Sequence, residues 1–543
     1  MKRTVLALLL LTTIVFQSAF AQAPVVKVTA DDKKVAEGVT AKQLSDYLYF
    51  VASDEMEGRD TPSRGLDTTA KFIAMNLSRW NFKPAGDNGT FFQKIAIKSE
   101  SADPAANTLS IGGQTYAVLD DFFRLSGNAT VDAPLVYVRD GWMVRSKDID
   151  AYKGVDVKGK IVVVYGDGFP RAAGATSRPK GVTADDLKGK KGADWADPLT
   201  YARTSGAAGM ILIASAQTQG AWPQLRNFLG RGSSYPDKLR ETTEVNDFPV
   251  MLVSSRVGEA IFAGEAASKD SVSAIALAKS AAMTMAGKVE TKWTQNVVAV
   301  WEGSDPVLKN EMVAIGAHYD HVGINQNVRG DDKIFNGADD DGSGTVAVLS
   351  IAEALAKAPK RPKRSVLFVW HCGEEKGLWG SEYFNKFPTV DIKNVITQLN
   401  IDMIGRSKKA GDNDPKDKDL TGEDAIYIIG SEMMSSTLGS VVKGTNAGYL
   451  NLNYDTRYDD PKDTNRFFFR SDHFNYALNG IPITFWFDGV HVDYHQPGDE
   501  AQKIDYNKME KVTRTIMVTL LKLTELKERP KIDKQLPPEL TQR

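Results

Sequence analysis

The stretch SVLFVWHCGEEKGLWGS, residues 365–381, decides the reading of the fold. Its first half is a near-continuous run of branched and aromatic residues with no polar alternation, as in a strand buried on both faces. Similar runs lie on either side of it: NVVAVWEG (296–303), MVAIGAH (312–318), ITQLNIDM (396–403) and IPITFWFDG (481–489). Between them the spacing predicts helices, one of them over residues 343–358. Apolar runs alternating with helices predict an α/β fold, a mostly parallel central sheet covered by helices on both faces.

Ligand sites in such sheets form beyond the carboxyl ends of the strands, and the chemistry-bearing residues fall there. His318 and Asp320 follow one run, Glu374 and Glu375 the next, Asp402 closes a third and His495 follows a fourth. Asp340, in GADDDGSG, precedes the helix predicted from residue 343. All six histidines (318, 321, 371, 473, 491 and 495) lie after residue 317. Imidazole nitrogen and carboxylate oxygen without thiolate suit zinc in a catalytic site that keeps an open position. Two histidines and three carboxylates can hold two ions if one carboxylate bridges. In extended chain, residues two apart face the same way, so Asp320 is expected to orient His318. Glu374, beside the ligand Glu375, is left free to move a proton. The pattern points to metal-dependent hydrolysis.

Length and composition frame that reading. A chain of 543 residues exceeds one ordinary domain. Its apolar share of 42% and charged share of 25% are those of a globular protein. The formal charge of −2 predicts no nucleic-acid or anionic-membrane partner. Lys2 and Arg3, an apolar run over 5–16 and Ala19-Phe20-Ala21 predict a signal peptide over residues 1–21, hence export to the periplasm or outside the cell. No cysteine stands immediately after that cleavage point and no later run is long enough to span a bilayer, so no membrane anchor is expected. Cys372, the single cysteine, excludes an internal disulfide and reads as a packed thiol at a strand end.

Residues 40–80 read as two helices joined by a charged, Gly- and Pro-containing loop at 54–64, and residues 171–191 as an exposed loop. Between 132 and 288 the texture changes to short β-rich runs, LVYV, KIVVVYG, GMILIAS and FPVMLVS, with a helix over 199–205. No acid or histidine cluster marks this zone. The stretches VDVKGKIVVVYGD and YARTSGAAGMILIAS resemble the protease-associated domain, a non-catalytic module. The expected division is therefore 22–131 and 289–543 for the catalytic domain, with 132–288 as the insert.

GAHYDHVG, NGADDDGSG, GEEKGLWGSEYF, NIDMIGR and DYHQPGD, in that order, resemble the two-zinc exopeptidase family of secreted bacterial leucine aminopeptidases and glutamate carboxypeptidase, with the transferrin receptor as a non-catalytic branch. LSDYLYFVASDEMEGRDT (44–61) shares the resemblance. It implies His318, Glu375, Asp402 and His495 as terminal zinc ligands, Asp340 as the bridging ligand, Glu374 as general base and Asp320 as the support of His318. It also implies a cis peptide at Asp340–Asp341. His321, His371, His473 and His491 read as structural or supporting residues, Asp339 and Asp341 as loop acids, and Trp379 as packing. Asp472 and His473 are placed near the substrate side, and Tyr494 is a candidate oxyanion donor.

The expected activity is an exported aminopeptidase acting on peptides with two zinc ions. A carboxypeptidase or dipeptidase on the same scaffold stays open, because residues 453–470 hold both acids (455, 459, 460) and arginines (457, 466, 470). A one-zinc glutaminyl cyclase is disfavoured by the full ligand set, as is a non-catalytic receptor. Side-chain preference and oligomeric state are not legible.

Overall fold

The computed structural model describes residues 26–103, 105–165, 178–230, 232–240 and 248–541. The segment expected as a signal peptide lies outside the described residues, as does part of the 171–191 loop. The chain forms two compact units, residues 1–94 with 294–543, and residues 95–293.

The first unit is built on a mixed sheet. Seven of its strands are β1 (Gly287–Trp301), β2 (Met312–His318), β3 (Ser365–His371), β4 (Val395–Ile401), β5 (Ala425–Ile429), β6 (Asn453–Asp455) and β7 (Ile483–Phe487), in the spatial order β1-β3-β2-β4-β7-β5-β6. The four central strands, β3, β2, β4 and β7, run parallel. On the flanks β1 pairs antiparallel with β3, and β5 antiparallel with β7. The parallel reading thus holds for the centre, and the flanks make the sheet mixed. Every residue of β2, β3 and β4 is buried, as unbroken apolar runs require.

Helix α1 (Gly344–Lys357) lies against β2, β3 and β4, and α2 (Trp379–Lys386) against β3. Helix α3 (His473–Leu478) contacts β4 and β7, and α4 (Tyr506–Glu525) contacts α1 and β2. Residues 40–80 form helices Ala41–Val51 and Arg64–Arg79, each opened by a side-chain cap: Thr40 accepts from the Gln43 amide and Ser63 from that of Leu66. No described helix is long and apolar enough to cross a membrane.

The second unit has an eight-stranded sheet whose centre, Ala129–Tyr137, Ile161–Tyr165, Gly209–Ile213 and Val250–Val253, is parallel. Alternate residues feed two cores. Leu135, Tyr137, Ile161 and Val163 enter one; Val136, Val138, Val162 and Val164 enter the other. The unit starts earlier than residue 132. Thr108–Ile111 pairs with Ile275–Met285, and Phe122–Ser126 with Val250–Val253. These long-range registers draw residues 95–131 into the second unit, and composition alone does not signal them.

Candidate metal centre

The parallel strands bring their carboxyl ends to one edge, and the donors gather there. His318 is the last residue of β2, and Asp402 directly follows β4. Glu374 and Glu375 follow β3, and His495 lies in the loop after β7. Asp340 sits in the turn Ala338–Ser343 that leads into α1. The turn needs Gly337: its φ is +56°, and a Cβ there would meet the Asp340 carbonyl at 2.3 Å and the His321 ring at 2.5 Å. His495 and Met403 also adopt left-handed backbone, with φ of 52° and 59°. Such conformations cost about 1–3 kcal/mol each and cluster at functional sites. The Asp340–Asp341 peptide is cis.

Two donor groups form, each with ligand atoms within 4.8 Å of one another: His321, Asp340, Glu375 and His495; and His318, Asp340 and Asp402. Asp340 belongs to both. Its Oδ1 lies 3.3 Å from His318 Nε2, and its Oδ2 lies 3.0 Å from His495 Nε2. Asp402 Oδ1 is 3.6 Å from His318 Nε2, and Glu375 Oε2 is 3.1 Å from His495 Nε2. Glu374 stands beside both groups without joining either, its Oε2 3.9 Å from His318 Nε2.

The electrostatics are those of a crowded, dry acid cluster. Burial pushes the Glu374 carboxyl well above the usual range, with Glu375 and Asp402 adding to the rise against His318. Burial also lifts Glu375, but the imidazoles of His321 and His495 outweigh it and bring it down to about 2. His495 is lowered by burial and then raised to about 10 by Asp340 and Glu375. Asp340 Oδ2 and Glu375 Oε1 are nevertheless buried without an aligned hydrogen bond. Buried carboxylates crowded together are costly to keep ionised, and a cation removes that cost. Nitrogen and oxygen donors in two groups around a shared carboxylate fit zinc.

All seven residues singled out in the sequence meet at this edge, Asp320 beside the His318 ring. His318 Nδ1 bonds the Asp320 main-chain carbonyl at 3.1 Å, while the carboxylate Oδ1 is 3.7 Å away and accepts from the Glu374 amide at 3.1 Å. Carbonyl and carboxylate of Asp320 thus both face the same imidazole nitrogen.

Among the other histidines, His371 contacts Asp472 (3.3 Å) and Tyr476 (3.1 Å), and His491 contacts Asp339 (3.3 Å). His473 stacks on Phe485, and burial lowers it to about 3. Asp341 accepts from the Gly344 and Met403 amides. Cys372 is a buried free thiol, raised by burial.

Three residues had no clear sequence signal for their place. His321 Nδ1 reaches Glu375 Oε1 at 2.7 Å. Asp499 Oδ2 accepts from the Asp339 and Asp340 amides, holding the bridging turn. Arg59, wholly buried, donates to the carbonyls of Tyr319 (3.0 Å), Val51 (2.7 Å), Asn336 (2.7 Å) and Gly337 (2.8 Å). It thereby ties the His318 and Asp340 segments to the N-terminal helices.

Residues 296–520, which carry the donor groups, match the profile of Peptidase family M28, and residues 131–261 match that of the PA domain. Leupeptin-inactivating enzyme 1 of Streptomyces exfoliatus is 31% identical over 213 residues, 38% of each chain. A probable leucine aminopeptidase 2 of Aspergillus fumigatus is 26% identical over 451 residues, 83% of this chain and 71% of the relative. The chain thus spans well under half of the Streptomyces relative and about seven tenths of the Aspergillus one. The aminopeptidase from Aneurinibacillus sp. strain AM-1 aligns over 93% of this chain and 98% of its own, at 17% identity and a TM-score of 0.48. One profile thus covers the donor-bearing strands of the first unit, as a region similar to Peptidase family M28, and the other lies in the second unit, as a region similar to the PA domain.

Proposed function

We propose that this peptidase is an exported aminopeptidase that binds two zinc ions and removes N-terminal residues from peptides. The observation that carries the reading is the sharing of Asp340 by two donor groups, with Glu374 adjacent and outside both. His321, Asp340, Glu375 and His495 would hold one ion; His318, Asp340 and Asp402 would hold the other. Bound there, the pair supplies Lewis acidity at the scissile carbonyl and makes water a better nucleophile.

The rest falls to the chain's own side chains. Glu374, 11% exposed on its side chain, is placed to take a proton from the attacking water and return it to the leaving amine. The Asp320 carboxylate fixes the Glu374 backbone through its amide. The carboxylates of Asp402 and Glu374 face the cleft and can meet a substrate ammonium. Tyr494 lines the same cleft, but its hydroxyl already accepts a hydrogen bond from Arg470 at 3.0 Å, so its proton is free for a second acceptor.

One observation favours a second reading. Arg470 also lines the cleft, and a carboxypeptidase or dipeptidase needs a cation for the substrate carboxylate. A panel of peptides, free or blocked at either end, separates the two in the presence and absence of chelator. Chelator-sensitive cleavage that needs a free N-terminus is expected; cleavage of N-blocked peptides that needs a free C-terminus would move the assignment to carboxypeptidase. Export over residues 1–21 is tested by the mature N-terminus, expected at Gln22.

A further inference from the structure

The cleft over the donor groups is strongly acidic on one side, with Asp340, Glu374 and Asp402, and aromatic on the other, with Phe467 and Tyr494. Arg470 is the one cation among its lining residues. Nearby cations are committed elsewhere. Arg406 pairs with Asp493 at 2.8 Å, Arg457 with Asp455 at 2.6 Å, and Lys376 with Asp60 at 2.7 Å. Arg470 is exposed, and among the described residues its partners are the Tyr494 hydroxyl and two rings, with no carboxylate.

The rings set how the guanidinium is presented. Its carbon lies 5.0 Å from the Phe467 ring centre and 5.7 Å from that of Tyr494, a cation–π arrangement that positions the group and removes part of its hydration. One N–H goes to Tyr494; a guanidinium has five, in a planar fork that matches a carboxylate. Tyr494 in turn stacks on the His495 ring at 4.0 Å between centres. Arg470 therefore stands one aromatic ring beyond a residue of the donor groups, at the reach of a substrate side chain or of the next residue's end. Divalent cations held by the donor groups would neutralise the acids there and leave Arg470 without a compensating negative charge.

We propose that Arg470 binds a carboxylate of the substrate, so that the cleft selects peptides carrying a negative charge close to the scissile bond. The inference rests on the peptidase reading of the metal centre. Two sources share this chemistry: an acidic side chain on the residue at the scissile bond, and the C-terminal carboxylate of a dipeptide.

The test uses the zinc-loaded full chain, wild type, Arg470→Met and Arg470→Lys. Two ratios of kcat/KM are measured: N-terminal Glu against Gln in otherwise identical peptides, and free-acid against amidated dipeptides. A charge-assisted bond predicts a wild-type preference of roughly 10- to 100-fold for the acid in one pair. Arg470→Met should collapse that ratio toward one, and Arg470→Lys should keep part of it, because the charge survives without the fork. The pair that responds identifies the source. Ratios unmoved by Arg470→Met in both pairs overturn the proposal. Should no peptide be cleaved, the peptidase assignment fails separately, and calorimetric binding of glutamate against glutamine, and of leucine against leucinamide, still decides. Preferential binding of one acid that Arg470→Met removes supports the carboxylate site; equal binding within both pairs overturns it.

Discussion

The two units treat buried charge in opposite ways. Among the described residues, the second unit buries one charged side chain, Asp121, and pairs it with Arg256. Its sheet instead sends apolar residues to a core on each face. The first unit buries Arg59, Asp320, Asp340, Asp341, Asp488 and Lys508, among others, around one sheet edge. Burying a charge is expensive unless it is paired or coordinates a metal. A fold keeps such a cluster at that cost for its chemistry, so the contrast locates function in the first unit. Among its described residues the second unit shows no cluster of that kind.

The sharpest way to break the contrast is to remove the shared carboxylate and the free one separately. Asp340→Ala should empty both donor groups and take activity to background, with metal content after dialysis as the direct readout. Glu374→Gln should keep the metal and lose about 10²–10⁴-fold in kcat, the range for a general acid–base group. A Glu374→Gln protein at wild-type rate would sink the proton-transfer role, and an Asp340→Ala protein with full metal would sink the bridge.

Chelation tests the same contrast through stability. A ligand bound only to the folded state adds about 3–4 kcal/mol at 100 to 1,000 times its Kd. Stripping the metal should therefore lower the unfolding transition of the first unit and leave that of the second in place. Equal shifts of both transitions in scanning calorimetry would show that the units do not differ in this way.

How much of this was legible follows from the range over which each contact acts. A buried parallel strand announces itself within seven residues, and the donor that follows it is adjacent in sequence. So His318, Glu374, Glu375, Asp402 and His495 could be read from their own neighbourhoods. Arg59 could not: three of its four bonds reach residues 260 to 278 positions away, and nothing in EGR states which carbonyls it will meet. The start of the second unit was hidden for the same reason, since Thr108 pairs with Thr284 across the whole unit. For Arg470, sequence supplied three arginines in one segment, and only the fold separates the one in the cleft from Arg457, which is paired with Asp455.

The smallest expected effect lies in the first unit away from the metal centre, at Asp459. Burial raises its carboxyl to about 6, against the Gly430 amide that hydrogen-bonds it. A carboxyl with a folded pKa above its unfolded value near 4 favours the fold while it is protonated. That contribution is fully present below about pH 4 and is lost as pH rises through about 6. At neutral pH the cost is on the order of 2 kcal/mol, trimmed because the residue keeps partial exposure. Asp459→Asn retains an oxygen for Gly430 and does not titrate. Its stability relative to wild type should therefore rise between pH 4 and pH 7 in denaturant titrations of the first unit. A difference that stays constant across that window would mean that Asp459 is hydrated in solution and that its burial carries no electrostatic cost.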